Sequence, residues 1–91
     1  MTECSHLDQI QVLDLPTSIE GCAQCLASGS WWVHLRMCQY CGEISCCDGS
    51  PNRHASRHAR STRHAIVRSA EPGEDWSWCY VDGIAFVLAG R

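Results

Sequence analysis

The sequence predicts a small α+β domain whose core is too thin to hold without staples. Three observations predict it. Short β-branched or aromatic runs recur along the chain between turn residues, and a single stretch carries helical spacing. Eight cysteines and five histidines stand in only 91 residues, far above ordinary use. A chain of this length makes one domain, 1–91, with a core of about 4–88. Domains this small commonly need a covalent or metal staple.

Taken in order, residues 4–15 hold a first strand, "IQVLDL", and residues 16–21 read as a turn or loop. Residues 22–49 carry a cysteine cluster, with "WWVHLRM" as a strand inside it. Residues 48–51 are turn-like. "NRHASRHARSTRH" then reads as the main helix, with Ser50 or Asn52 as its N-cap. "AIVRS" is apolar and β-branched, hence a strand, "AEPGED" is a turn, and "WSWCYVDGIAFVL" supplies one or two final strands. No repeat or low-complexity segment interrupts this layout.

The formal net charge of −3, with seven arginines and no lysine, gives no general preference for nucleic acid. "MTECSHLDQ" has neither a basic nor an apolar leader region, and the longest apolar run, "IAFVLA", is too short to span a bilayer. The expected setting is the reducing cytoplasm, where clustered cysteines usually bind metal.

Zinc takes about four Cys, His or carboxylate ligands, and residue pairs on tight turns are the usual way to supply two of them. The chain offers Cys4-x-His6, Cys22-x-x-Cys25, Cys38-x-x-Cys41 and Cys79-x-x-Asp82, and beyond these Cys46, Cys47, His54, His58 and His64. Four pairs alone make two sites; adding Cys46 and three histidines makes three. A disulfide framework explains the even cysteine count but leaves the histidines idle. A thioredoxin-like redox pair needs a βαβ context that the pattern lacks. His54 and His58 share a helix face, but Ala55 stands where a metalloprotease places its glutamate base. His34 has no partner at ligand spacing and reads as a surface or packed histidine.

The order Cys-x-His, Cys-x-x-Cys, Cys-x-x-Cys-x4-Cys, His-x3-His-x5-His, Trp-Cys-x-x-Asp resembles the UBP-type zinc finger, the ubiquitin-binding finger of ubiquitin-specific proteases and a histone deacetylase. The likeness runs from Cys4 to Asp82. It implies a twisted antiparallel sheet with one main helix packed on it and interleaved zinc sites, three ions in all. It implies one site of Cys22, Cys25, Cys46 and His54, a second of Cys38, Cys41, His58 and His64, and a third of Cys4, His6, Cys79 and Asp82, where aspartate replaces a family cysteine. Cys47 is then the odd thiol, either a small buried apolar residue or a reactive group.

The family's fingers hold a free C-terminal Gly-Gly between aromatics and an arginine. By this resemblance Trp78 and Tyr80 keep the aromatic end. Arg36 stands in place of a tryptophan and Asp48 in place of the arginine. Trp31 and Trp32, upstream, are candidates to rebuild the wall, with Trp32 assigned to the ligand site, against a plain role in strand packing. An aspartate there repels a carboxylate, so the expected function is a zinc-stabilised recognition module that takes a peptide or protein tail but not a ubiquitin C-terminus by the family mode. The alternative is a structural or regulatory zinc protein binding an anion such as RNA through Arg53, Arg57, Arg60 and Arg63, although such a row more usually forms a solvated face. With all strong ligands placed in closed sets, no enzymatic role is expected.

Overall fold

The computed structural model describes residues 6–87. A 3-10 turn, Leu7–Gln9, is followed by α1 (Ala23–Ser28), β1 (Leu35–Cys38), β2 (Ile44–Cys46), α2 (His54–Thr62), β3 (Ile66–Ser69), β4 (Ser77–Cys79) and β5 (Ile84–Phe86). The strands form one antiparallel sheet in the order β2-β1-β3-β4-β5. The expected α+β class, a small antiparallel sheet with one main helix, is the observed one.

Packing follows from residue size. α2 presents Ala55, Ser56 and Ala59 inward, and these short side chains let the helix lie close against β1 and β2. β3 is central, and all four of its residues are buried. Met37 and Ile66 are the largest fully enclosed side chains; each such burial contributes on the order of 1.5–3 kcal/mol. Around them the core consists mostly of cysteine and alanine. Buried polar groups are paired: Ser77 Oγ donates to Gln39 Oε1 at 2.8 Å, and Arg68 donates to the carbonyls of Leu13, Ser69 and Glu74.

Several expected elements are corrected. Residues 10–15 are not a strand. Both sides of β1 and β3 are already occupied, so the segment has no ladder to join. Side chains and one carbonyl tether it instead: the N–H groups of Gln11 and Val12 both donate to Gln39 O, at 2.7 and 2.9 Å, and Arg68 holds Leu13 O. The strand expected over residues 31–37 begins only at Leu35. α1 and β2 were hidden within the cysteine-rich segment. Neither Ser50 nor Asn52 caps α2. The N-cap is Arg53, in the left-handed region at φ 47, with no side-chain cap. Ser50 Oγ instead accepts the Val33 N–H at 2.8 Å, and Asn52 Nδ2 donates to Ser30 Oγ at 2.6 Å.

Candidate metal centres and the aromatic pocket

Three groups of side chains converge, each offering one ligand atom per residue within 4.8 Å of the others: Cys22, Cys25, Cys46 and His54; Cys38, Cys41, His58 and His64; and His6, Cys79 and Asp82. Cys4, assigned to the third group, lies outside the described residues.

The first group is built at the junction of both helices and β2. Cys22 caps α1, its Sγ accepting the Cys25 N–H at 3.4 Å, and Gly29 ends that helix in the left-handed region. Cys46 serves the start of α2 from β2 rather than from the N-cap position. Its Sγ accepts the His54 N–H at 3.2 Å, so a sulfur takes up one of the helix's orphan donors and replaces the polar cap. His54 Nδ1 then lies 3.2, 3.3 and 3.5 Å from the sulfurs of Cys22, Cys25 and Cys46, and Cys25 and Cys46 sulfurs are 3.8 Å apart. Tetrahedral zinc requires S···S near ~3.8 Å and S···N near ~3.6 Å from its ordinary bond lengths, so the donor set fits. Without an ion, burial pushes the Cys25 thiol up to about 11, with Cys22 adding to the shift. A pocket of three enclosed sulfurs favours thiolates only when a cation sits among them.

The second group hangs on the β1–β2 turn and α2. Cys41 Sγ lies 3.4 Å from His58 Nε2, and Cys38 Sγ 3.5 Å from His64 Nδ1. His58 Nδ1 faces Glu43 Oε2 at 3.2 Å, and Gln24 and Ser45 donate to the same carboxylate. That contact puts the ring proton on Nδ1 and turns the Nε2 lone pair to the site. His64 is held by stacking on Tyr40 at 4.2 Å. Burial raises the Cys38 thiol above its ordinary value.

The third group repeats the turn chemistry of the second. In Cys38–Gly42 and in Cys79–Gly83 the glycine is left-handed, at φ 85 and φ 66, and its N–H donates to the first cysteine's carbonyl, at 2.8 and 2.9 Å. Asp82 thus occupies the turn position that Cys41 occupies in the other. His6 Nδ1 lies 3.1 Å from Asp82 Oδ2 and 3.6 Å from Cys79 Sγ.

The adjacent cysteines diverge. Cys46 faces the first metal group, while Cys47 lines a pocket of about 200 Å3 with Arg36, Asp48, Val67, Trp76, Trp78 and Tyr80. Register explains the pocket: Val67 pairs with Trp78 and Cys38 with Val67, which puts Arg36, Val67 and Trp78 on one sheet face. Burial, then the Asp48 charge, pushes the Tyr80 phenol up to about 12. Burial alone would raise the Cys47 thiol, but hydrogen bonding with Ser50 and nearby backbone and the Arg36 charge outweigh it and lower it.

The structure gathers Arg36, Asp48, Trp78 and Tyr80 as expected but corrects Trp32. That ring packs on the cluster around Cys22 and Cys25, directly over Gly21, where an added Cβ would meet it at 2.4 Å. Trp76 supplies the wall instead. Arg36 does not pair with Asp48: its guanidinium lies over the Trp76 ring at 4.6 Å and donates to Leu35 O. Trp76 was legible as the residue two before Trp78, hence on its face of an extended segment. Glu43 carried no sequence signal, since only the fold brings it to His58. His34 is exposed.

No curated protein matches this chain. The solution structure of protein RPA1320 from Rhodopseudomonas palustris is similar to it, with a TM-score of 0.82 and 45% sequence identity over 100% of this chain and 87% of that one. The family model for the Zn-finger in ubiquitin-hydrolases and other proteins matches residues 22–87. With this match and donor sets that fit zinc, the chain belongs to the UBP-type zinc-finger family and is a zinc-binding module.

Proposed function

We propose that this module is a non-catalytic recognition domain that loads three zinc ions and takes a peptide or protein tail in the pocket of Arg36, Asp48, Trp76, Trp78 and Tyr80. The observation that carries the reading is the composition of that pocket: three aromatic side chains and two opposite charges around a space of about 200 Å3. That space suits one residue of an extended chain. The first two metal groups offer four donors each, so zinc held there has no open position for a substrate.

A ubiquitin C-terminus is a poor match. Arg36 already stacks on Trp76 and donates to Leu35 O, and Asp48 opposes a carboxylate. Losing a charge-assisted hydrogen bond and gaining a repulsion together cost several kcal/mol, which moves a micromolar binder to about millimolar. The reading is tested by calorimetry on the zinc-loaded domain against ubiquitin and against synthetic tails that vary in terminal charge. The expected outcome is no micromolar ubiquitin binding, and binding of some tails that Trp78→Ala abolishes. Micromolar ubiquitin binding lost on removing its terminal Gly-Gly would restore the family mode. Tail binding indifferent to Trp78→Ala would remove the pocket.

A further inference from the structure

A second cleft shares Tyr80 with the pocket just described and is otherwise lined by different residues. It measures about 390 Å3 and lies between the C-terminal half of α2, the 3-10 turn and the β4–β5 turn. Ala59 and Val81 give it an apolar surface, and its polar lining is His6, Gln9, Arg60, Arg63 and Tyr80.

Gln9, Arg60, Arg63 and Tyr80 each bring a donor group to this lining. Gln9 Oε1 already accepts the Ala65 N–H at 2.8 Å, so the amide group it has left to offer is Nε2. Tyr80 brings its phenol O–H. Arg60 and Arg63 are exposed, and neither is ion-paired among the described residues. Asp82 is engaged with His6, and Asp48, whose charge acts on Tyr80, lines the first pocket rather than this cleft. The C-terminus of α2 adds a partial negative charge of roughly half a unit, which two full guanidinium charges outweigh.

We propose that this cleft is a binding site for a phosphomonoester, with Arg60 and Arg63 clamping the phosphoryl oxygens and the ligand's organic part resting on Ala59 and Val81. Guanidinium forks match phosphoryl oxygens pairwise. A phosphomonoester's near-double charge also balances two arginines, which a single carboxylate does not.

The test titrates the zinc-loaded, 15N-labelled chain with phenyl phosphate and with benzoate at constant ionic strength, followed by amide shifts. Saturable shifts at Gln9, Arg60, Arg63 and Val81 are expected with phenyl phosphate, and binding at least about tenfold weaker with benzoate. The double variant Arg60→Gln/Arg63→Gln should weaken phosphate-ester binding by about tenfold or more, while Arg53→Gln/Arg57→Gln, which removes the same charge from the same helix outside the cleft, should change it by less than about threefold. Zinc content by native mass spectrometry checks that each variant is loaded. Equal response to the two anions, equal effects of the two double variants, or shifts that never saturate would each overturn the proposal.

Discussion

The first and third metal groups use the same chemistry in opposite settings. Cys22, Cys25 and Cys46 are wholly buried, and two of these sulfurs also cap the helices that carry their partners. Removing an ion there would leave several sulfurs enclosed and both helix starts weakened. In the third group the His6 and Asp82 side chains keep about a quarter of their surface in water, 25% and 24%. Its residues come from the two ends of the described chain, and its oxygen donor is a carboxylate that water can satisfy. The difference teaches that ligand identity alone does not make a zinc site structural. Its weight comes from how much of the fold's own hydrogen bonding passes through the ligands.

The sharpest way to break this comparison is to remove the metal. A structural zinc contributes on the order of 10 kcal/mol of folding free energy, more than a core of cysteine and alanine replaces. Chelation should abolish both the near-UV signal and the melting transition. Cys22→Ala should come close to the same result, whereas Cys47→Ala should fold and load normally. A cooperative melt that survives complete zinc removal would show the first group to be no more essential than the third.

Next in size, Asp82→Ala should lower the zinc count by native mass spectrometry from three to two, while the melting transition persists a few degrees lower. An unmutated domain that carries two ions would remove the third site altogether.

Backbone substitutions beside each group should then separate by about 1–3 kcal/mol. Gly21→Ala meets the Trp32 ring at 2.4 Å in a left-handed backbone at φ 148, while Gly83→Ala has open space and only its φ of 66 to tolerate. The first should cost about 3 kcal/mol and the second about 1 kcal/mol in denaturant melts. Equal costs would mean that the wall around Cys22 yields easily.

On the fold itself, the smallest effect is expected at Glu43. Glu43→Gln keeps the shape but loses the charge that orients His58, and zinc affinity of the second group should fall by about 10–100-fold in a chelator competition with the fold retained. An unchanged affinity would show that Tyr40 stacking on His64 and the α2 backbone position this group without the carboxylate.

Spacing alone determined much of this protein. Each tight-turn pair recorded in 22–25, 38–41 and 79–82 is local, because two residues on one turn meet whatever the rest of the chain does. The helix read over 52–64 contains the observed 54–62, the strand read over 65–69 contains 66–69, and the one or two strands read over 76–88 are the observed 77–79 and 84–86. Which pairs share a metal was read through the family resemblance, and the fold brings eleven of those twelve residues into the expected groups. Tertiary structure decided the rest. Residues 10–15 have the composition of a strand, but strand status depends on a free edge, and the sheet offers none there. Asn52 and Ser50 look like caps, but a cysteine sulfur reached the helix N-terminus first. Trp32 lies between the first two Cys-x-x-Cys pairs and Trp76 lies just before Cys79. Only the register of β3 against β4 sent Trp76 to the pocket, while the close approach at Gly21 drew Trp32 into the core. Contacts between residues far apart in the chain depend on which competing surface is nearest once the sheet has formed, and no local pattern encodes that.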